Sequence, residues 1–343
     1  MEPDCCRNWT TLHISTALSE GIGPWLYKAL QEHREVNLAA QFQEQLERSY
    51  AQSMISSLAN QACFREVAAA FELEQIPLLA LKGAYLGTFV YRNPALRPMN
   101  DLDMLVQEKH FEQARHLLDG LGFGISAEPL EGEYRILQPA LAHVRLGTFP
   151  CAVDLHRAIL CMDYYRLPSA LVWQEAVKSE LYGQPVYLLS NELNFIHLGM
   201  HTLTHLDLIR DWLDLALFLR HNVIDWDKLA LLARSLGVMR PLYWVFRGLE
   251  QQWGVIAPEG FAGSLAAYVP TRIEDRVIRH RFRYLWRFVA RLRLIPQLGL
   301  RLRYLRMRLF PTEPNADEKL WVLGWFRHLS SKIIYFLSFF RRR

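Results

Sequence analysis

Two aspartates separated by one residue, Asp101 and Asp103, stand in the run Arg97-Pro98-Met99-Asn100-Asp101-Leu102-Asp103-Met104-Leu105-Val106. The alternation of acid and apolar residue predicts a β-strand, in which residues i and i+2 share a face. Both carboxylates then project one way, and Leu102 and Met104 the other. Side by side in a partly buried strand they repel and raise each other's pKa, a cost that a divalent cation removes. Mg²⁺, or Mn²⁺ in its place, suits such a pair, because it takes oxygen ligands and keeps sites open for substrate phosphates. Further on, Cys151-Ala152-Val153-Asp154-Leu155-His156 reads as a second strand, with Ala152, Asp154 and His156 on one face and Val153 and Leu155 on the core face. If the two strands are neighbours, Asp154 joins the pair. Three carboxylates are what two cations about 3.5–4 Å apart require in phosphoryl-transfer chemistry.

A cationic counterpart lies upstream. Leu79-Ala80-Leu81-Lys82-Gly83 runs from a strand into a helix, whose first backbone N–H groups are unpaired and whose dipole is positive there. Gly83 would let a phosphate approach the backbone, and Lys82 would supply a point charge, unless it is only a solvated cation at a strand end. Arg97 is a second candidate, as a phosphate contact at the rim or as an ion-pair partner of Asp101 or Asp103. His156 shares the face of Asp154, where it would either orient a ligand or be a satisfied structural histidine. No G-x-x-x-x-G-K-[ST] run exists, which excludes a P-loop.

The elements that must hold these residues are legible in outline. Leu38, Phe42, Leu46, Tyr50, Met54 and Leu58 recur near helical period, which predicts one or two long helices over about 36–74 within an N-terminal helical segment, 1–75. Residues 76–165 alternate strand and helix, with 143–148 and 151–156 expected as an antiparallel hairpin. Beyond 165 the pattern reads as almost wholly helical, with helices at 190–221, 226–236 and 239–253 the clearest and turns at Gly237 and Pro241. The expected domains are therefore a mixed palm over 76–165, a helical domain over 166–269, and a basic amphipathic helical tail over 270–343. The fold class expected is α+β.

In order and spacing, the Leu-Lys-Gly strand end, the helix and Tyr-containing turn after it, Arg-Pro-x-x-Asp-x-Asp-x-Leu-Val, and the later Val-Asp-Leu-His strand resemble bacterial nucleotidyltransferases of the DNA polymerase beta superfamily. The segment from His197-Leu198-Gly199-Met200-His201 to Arg210-Asp211-Trp212-Leu213-Asp214-Leu215-Ala216 is similar to that family's following domain. The resemblance covers about 60–255. It implies a nucleotidyltransferase palm with Asp101, Asp103 and Asp154 as catalytic metal ligands, and Lys82, Gly83 and Arg97 near the nucleotide. The superfamily more often has Gly-Ser where this chain has Lys82-Gly83, so a serine contact to the terminal phosphate is missing and Lys82 is its candidate substitute. The implied step is in-line attack of an acceptor oxygen on the α-phosphate of an NTP with loss of pyrophosphate, and Asp154 as base. The acceptor is left open among a small molecule, a peptide, a protein and RNA.

Composition narrows the rest. A chain of 343 residues, 51% hydrophobic and 22% charged, is long enough for two or three packed units and too apolar for a disordered or low-complexity protein. Five cysteines, Cys5, Cys6, Cys63, Cys151 and Cys161, form no C-x-x-C pair and suggest reduced thiols in a cytoplasmic protein. The tail, 270–343, carries 18 Lys and Arg against 5 Asp and Glu, a balance of +13 that leaves −9 for the remainder. Such a segment suits packing on the acidic body, contact with an anionic membrane surface, or nucleic-acid binding through its interleaved arginines and aromatics. His197, His201 and His205 fall at i, i+4 and i+8, a spacing open to metal but without a zincin's glutamate, so a core or hydrogen-bonded role is expected. The alternative to an enzyme is a non-catalytic nucleotide-binding or adaptor protein whose tail docks on membrane or nucleic acid.

Overall fold

The computed structural model describes residues 11–33, 38–126, 140–147, 150–159, 168–204, 208–268, 298–299, 301–302 and 305. The chain divides into two units, Met1–Leu294 and Ile295–Arg343. In the second, the described residues are helical. Most of the basic tail, together with His205, Cys5, Cys6 and Cys161, lies outside the described residues.

The first unit opens on helices α1 (Thr11–Ser19), α2 (Gly23–Glu32) and α3 (Ala40–Leu73), the last 34 residues long. The apolar series that predicts α3 steps by four residues, and each such step turns about 40° around a helix of 3.6 residues per turn. By Leu58 the series has drifted off the buried face, so Met54 and Leu58 are exposed. The buried line instead runs Phe42, Leu46, Ser53, Ser57, Asn60, Phe64, Val67 and Phe71. Its small and polar middle serves a loop: Asn60 Nδ2 donates to the carbonyl of Met99, two residues before Asp101, at 3.1 Å. The helix interior thereby fixes the approach to the acid pair.

Strands β1 (Leu79–Ala80), β2 (Leu102–Leu105), β3 (Gly124–Ile125), β4 (Ala140–Arg145), β5 (Cys151–His156), β6 (Val177–Leu181) and β7 (Gln184–Leu188) form one mixed sheet in the order β3-β4-β5-β2-β1-β7-β6. β1 continues into α4 (Lys82–Tyr85) and a π-helical turn, Leu86–Val90, while α5 (Phe111–Gly120) follows β2. After β5 come α6 (Ser169–Gln174), α7 (Asn191–Thr204), α8 (Ile209–His221), α9 (Trp226–Ser235), α10 (Met239–Trp253) and α11 (Glu259–Leu265). This is an α+β fold with helices before and after a mixed sheet. One continuous core joins Phe64 and Phe71 of α3, Leu102 and Met104 of β2, Val153 and Leu155 of β5, and Phe195, Phe218 and Leu242 of the later helices.

Four expectations are corrected. The stretch beyond 165 is not wholly helical, because β6 and β7 make a hairpin that pairs in parallel with β1 through Leu79 and Tyr187, carrying the sheet to Leu188. Its turn, Tyr182-Gly183, has φ of +53° and +80°, the backbone of a type I′ hairpin. The helix expected over 190–221 is two helices, α7 and α8. Pro241 lies in the first turn of α10 and makes no turn; its missing N–H is one the helix start leaves unpaired anyway. Finally, the cysteines are not all reduced. α3 packs across the sheet and brings Cys63 to Cys151, the first residue of β5, in a disulfide that no sequence spacing announces.

Candidate active site

β2 and β5 pair in parallel, with Asp103 directly opposite Asp154 and Leu102 opposite Val153. The alternation places Leu102, Met104, Val153 and Leu155 in the core with no exposed surface, which turns the two aspartates toward the other face of the sheet. Asp103 itself is nearly sealed, 5% exposed, and Asp154 is half-buried. Asp101 sits in the bend just before β2. It is close enough to be repelled by both other acids. Among the described residues one group is compact enough to hold a metal ion: Asp103, Asp154 and His156, with ligand atoms within 4.8 Å of one another.

Two donors meet on one oxygen of Asp103. Lys82 Nζ donates to Oδ1 at 2.5 Å, and His156 Nε2 lies 2.9 Å from the same atom. A carboxylate only accepts, so the imidazole proton of His156 resides on Nε2. Burial pushes the Asp103 carboxyl upward, but the charge of Lys82 and the bond from His156 outweigh it and hold the group well below the ordinary carboxylate range. Asp101 and Asp154 shift the other way: burial raises both, and their fellow aspartates add to it. The site thus contains one firmly ionised acid and two under electrostatic pressure to take up a proton or a cation. Lys82 holds its position with φ of +37°, in the left-handed region that favours glycine.

Arg97 and Gly83, both expected near the nucleotide, are buried. Arg97 is buried and bonded to Asp214 of α8, with Nε 3.0 Å from each oxygen and Nη2 2.8 Å from Oδ2. It pairs with neither Asp101 nor Asp103. Tyr91 Oη donates to the same carboxylate at 2.8 Å. Gly83 is also buried, and a Cβ there would stand 2.8 Å from Met99 Sδ and 3.0 Å from Arg97 Nη1. Its lack of a side chain makes room for the loop carrying Asp101. His197 of α7 is buried beside the site, and burial together with Lys82, His201 and His156 drives its pKa well down, so the ring is neutral. His201 Nδ1 lies 3.5 Å from Asp211 Oδ2. The sequence gives no period or spacing that would join Arg97 to Asp214, 117 residues away. For His156, sharing the face of Asp154 was the available signal.

The donor set fits a divalent cation. Three carboxylates against the single ammonium of Lys82 leave two negative charges, and oxygen donors predominate. Asp103, Asp154 and His156 are the residues whose ligand atoms lie close enough together to hold the ion, with Asp101 electrostatically coupled to both aspartates.

A mixed α+β palm with acids on two adjoining strands and helical layers on either side in sequence defines an enzyme of the nucleotidyltransferase class. A family model described as "Uncharacterised nucleotidyltransferase" matches residues 7–253, and the chain belongs to that family. Among solved structures the chain is similar to the solution structure of the antibiotic-resistance factor ANT(2'')-Ia, at 14% identity over 52% of this chain and 91% of that one, with a TM-score of 0.37. No curated protein matches the chain. Among the described residues no helix is long and apolar enough to cross a membrane.

Proposed function

We propose that the chain transfers a nucleoside monophosphate from an NTP to a hydroxyl-bearing acceptor, with Mg²⁺ or Mn²⁺ held by Asp101, Asp103 and Asp154. The observation that carries this reading is the register that sets Asp103 against Asp154. A bound divalent cation would supply charge neutralisation for the triphosphate. Asp103, kept ionised by Lys82 and His156, is a permanent anionic anchor. Asp154 has its carboxylate made more basic by burial and by Asp103, which suits it to take the proton of the acceptor hydroxyl. Lys82 has three N–H donors, one of them on Asp103, and the others are free to meet phosphate oxygens. Arg97 acts as a positioning residue: through Asp214 it ties the Pro98–Asp101 approach to α8. Gly83 permits that loop to seat. Catalysis on this reading is mainly positioning and electrostatic stabilisation.

Incubation with each [α-³²P]NTP, Mg²⁺ and cell extract fractionated by acceptor class tests the proposal. Label should move to an acceptor with the native chain and fall at least a hundredfold with Asp101→Asn. Undiminished labelling by Asp101→Asn, or a native chain that neither labels any acceptor nor gains thermal stability from any NTP with Mg²⁺, refutes the reading. Cytoplasmic location, and contact of the 270–343 tail with an anionic membrane or a nucleic acid, belong to the same proposal. Liposome and RNA binding by the full chain at two salt concentrations checks the tail contact.

A further inference from the structure

We propose that the ammonium of Lys82 replaces one of the two cations a three-carboxylate phosphoryl-transfer site would hold, so that this chain takes a single divalent ion. The inference rests on the nucleotidyl-transfer reading and narrows its metal requirement.

The first argument is an inventory of oxygens. Two ions about 3.5–4 Å apart need a carboxylate that lends an oxygen to each. Asp103, central between Lys82 and Asp154, is the residue placed for that task. Its Oδ1 already accepts from Lys82 Nζ at 2.5 Å and from His156 Nε2 at 2.9 Å. A second ion on Oδ1 must displace both donors, one of them a full positive charge, from a carboxylate that is almost wholly buried. That leaves the other oxygen of Asp103 as the one open to an ion.

The second argument is charge. The ammonium of Lys82 bears on all three carboxylates, Asp101, Asp103 and Asp154. With it in place the cluster is two charges negative, which one divalent ion neutralises. Two divalent ions beside the lysine would leave the buried cluster two charges positive before any nucleotide arrived, and like charges this close are strongly unfavourable in a partly desolvated site.

The third argument is the backbone. An L-residue in the left-handed region is disfavoured by roughly 1–2 kcal/mol relative to its ordinary conformation, whereas glycine is not. Lys82 adopts φ of +37° as the first residue of α4, immediately after Leu81, whose N–H donates to the carbonyl of Asp103 at 3.0 Å. The preceding bond fixes the backbone against β2, and the left-handed turn sends the lysine back across to the same residue's side chain. A position where glycine would relax the chain is thus filled by the one side chain that brings a cation to the acids.

Lys82→Gly separates these terms, because it removes the charge, frees Asp103 Oδ1 and suits the local backbone. The full-length native chain, Lys82→Gly and Lys82→Arg are titrated with Mn²⁺ in the presence of tripolyphosphate. Bound ions are counted by equilibrium dialysis, and electron paramagnetic resonance distinguishes an isolated ion from an exchange-coupled pair. The native chain and Lys82→Arg should bind one magnetically isolated ion, and Lys82→Gly a coupled pair, a twofold rise in stoichiometry. A coupled pair on the native chain, or a single ion on folded Lys82→Gly, overturns the proposal and leaves nucleotidyl transfer standing. No Mn²⁺ on the native chain removes both readings. Should Lys82→Gly fail to fold, the native count decides.

Discussion

Replacing Asp214 by Asn removes a charge from a place where Arg97 has no water to turn to. The pair is nearly sealed, with side-chain exposures of 8% for Arg97 and 4% for Asp214. Three N–H to oxygen contacts of 2.8–3.0 Å join the two side chains, and the Tyr91 hydroxyl donates to the same carboxylate. Burial disfavours the Arg97 cation, but Asp214 more than compensates and its pKa lies above the usual arginine value. Removing one member of such a pair strands the other, which costs about 3–5 kcal/mol. At about 2 °C per kcal/mol for a domain of this size, Asp214→Asn should lower the melting temperature by roughly 6–10 °C. Urea unfolding and calorimetry on Asp214→Asn, Arg97→Met and the double variant form the cycle that isolates the pair. The double variant should recover part of the loss, because no charge is then buried alone. A loss below about 1 kcal/mol for Asp214→Asn, the size expected of a solvent-exposed ion pair, would refute the claim that this contact locks the loop to α8. The same variant should lower nucleotidyl transfer well below its melting point, since Arg97 stands four residues before Asp101.

Asp101→Asn and Asp103→Asn should move metal-free stability in opposite directions at neutral pH. Asp101 has a folded pKa above its unfolded value, so its ionised form destabilises the fold above that window and stability improves as pH falls into it; Asp103, held low, contributes stability that is complete above the ordinary carboxylate value and fades as pH drops below it. Thermal melts without divalent ions should therefore show Asp101→Asn raised and Asp103→Asn lowered, and the same sign for both would refute the charge assignment. Gly248→Ala should destabilise by about 3 kcal/mol or more, because the new Cβ would stand 2.2 Å from Trp212 Cη2, a rigid ring atom. Wild-type stability in this variant, measured by urea unfolding, would refute the close packing of α10 on α8. Replacing both Cys63 and Cys151 by Ser opens a loop of 88 residues and should cost about 4–5 kcal/mol by chain entropy, and an unchanged urea midpoint would argue against the cross-link.

Asp103 on β2 and its partner on β5 are legible because a strand has a period of two and the apolar residues beside the acids declare which face is inside, although Asp101 falls in the bend just before the strand. The hairpin of β6 and β7 is legible as well, through Tyr182-Gly183 between two runs of alternating residues, although it falls in a stretch whose pattern reads as almost wholly helical. The four-residue series in α3 identifies the helix but does not follow its buried face, since a spacing of four drifts where a mixture of three and four does not. What no local pattern encodes is a partner chosen by tertiary packing. Arg97 looks as suited to Asp101 as to Asp214, and only the fold of α8 against the loop decides. Cys63 and Cys151 meet for a similar reason, and Lys82 reaches Asp103 because of a backbone angle that its residue type would not suggest.

The bond between α3 and the first residue of β5 also bears on how the chain tolerates length changes. A strand that slides by one residue turns its apolar set outward and is rejected by the core, but a slide by two keeps Val153 and Leu155 inward while setting Ala152 or His156 against Asp103. Such a slide, about 6.6 Å, would leave a folded protein with a dismantled cation site. The sulfur tether forbids that silent failure. A single residue added between Cys151 and Asp154 must either bulge the strand or move Asp154 off its place opposite Asp103.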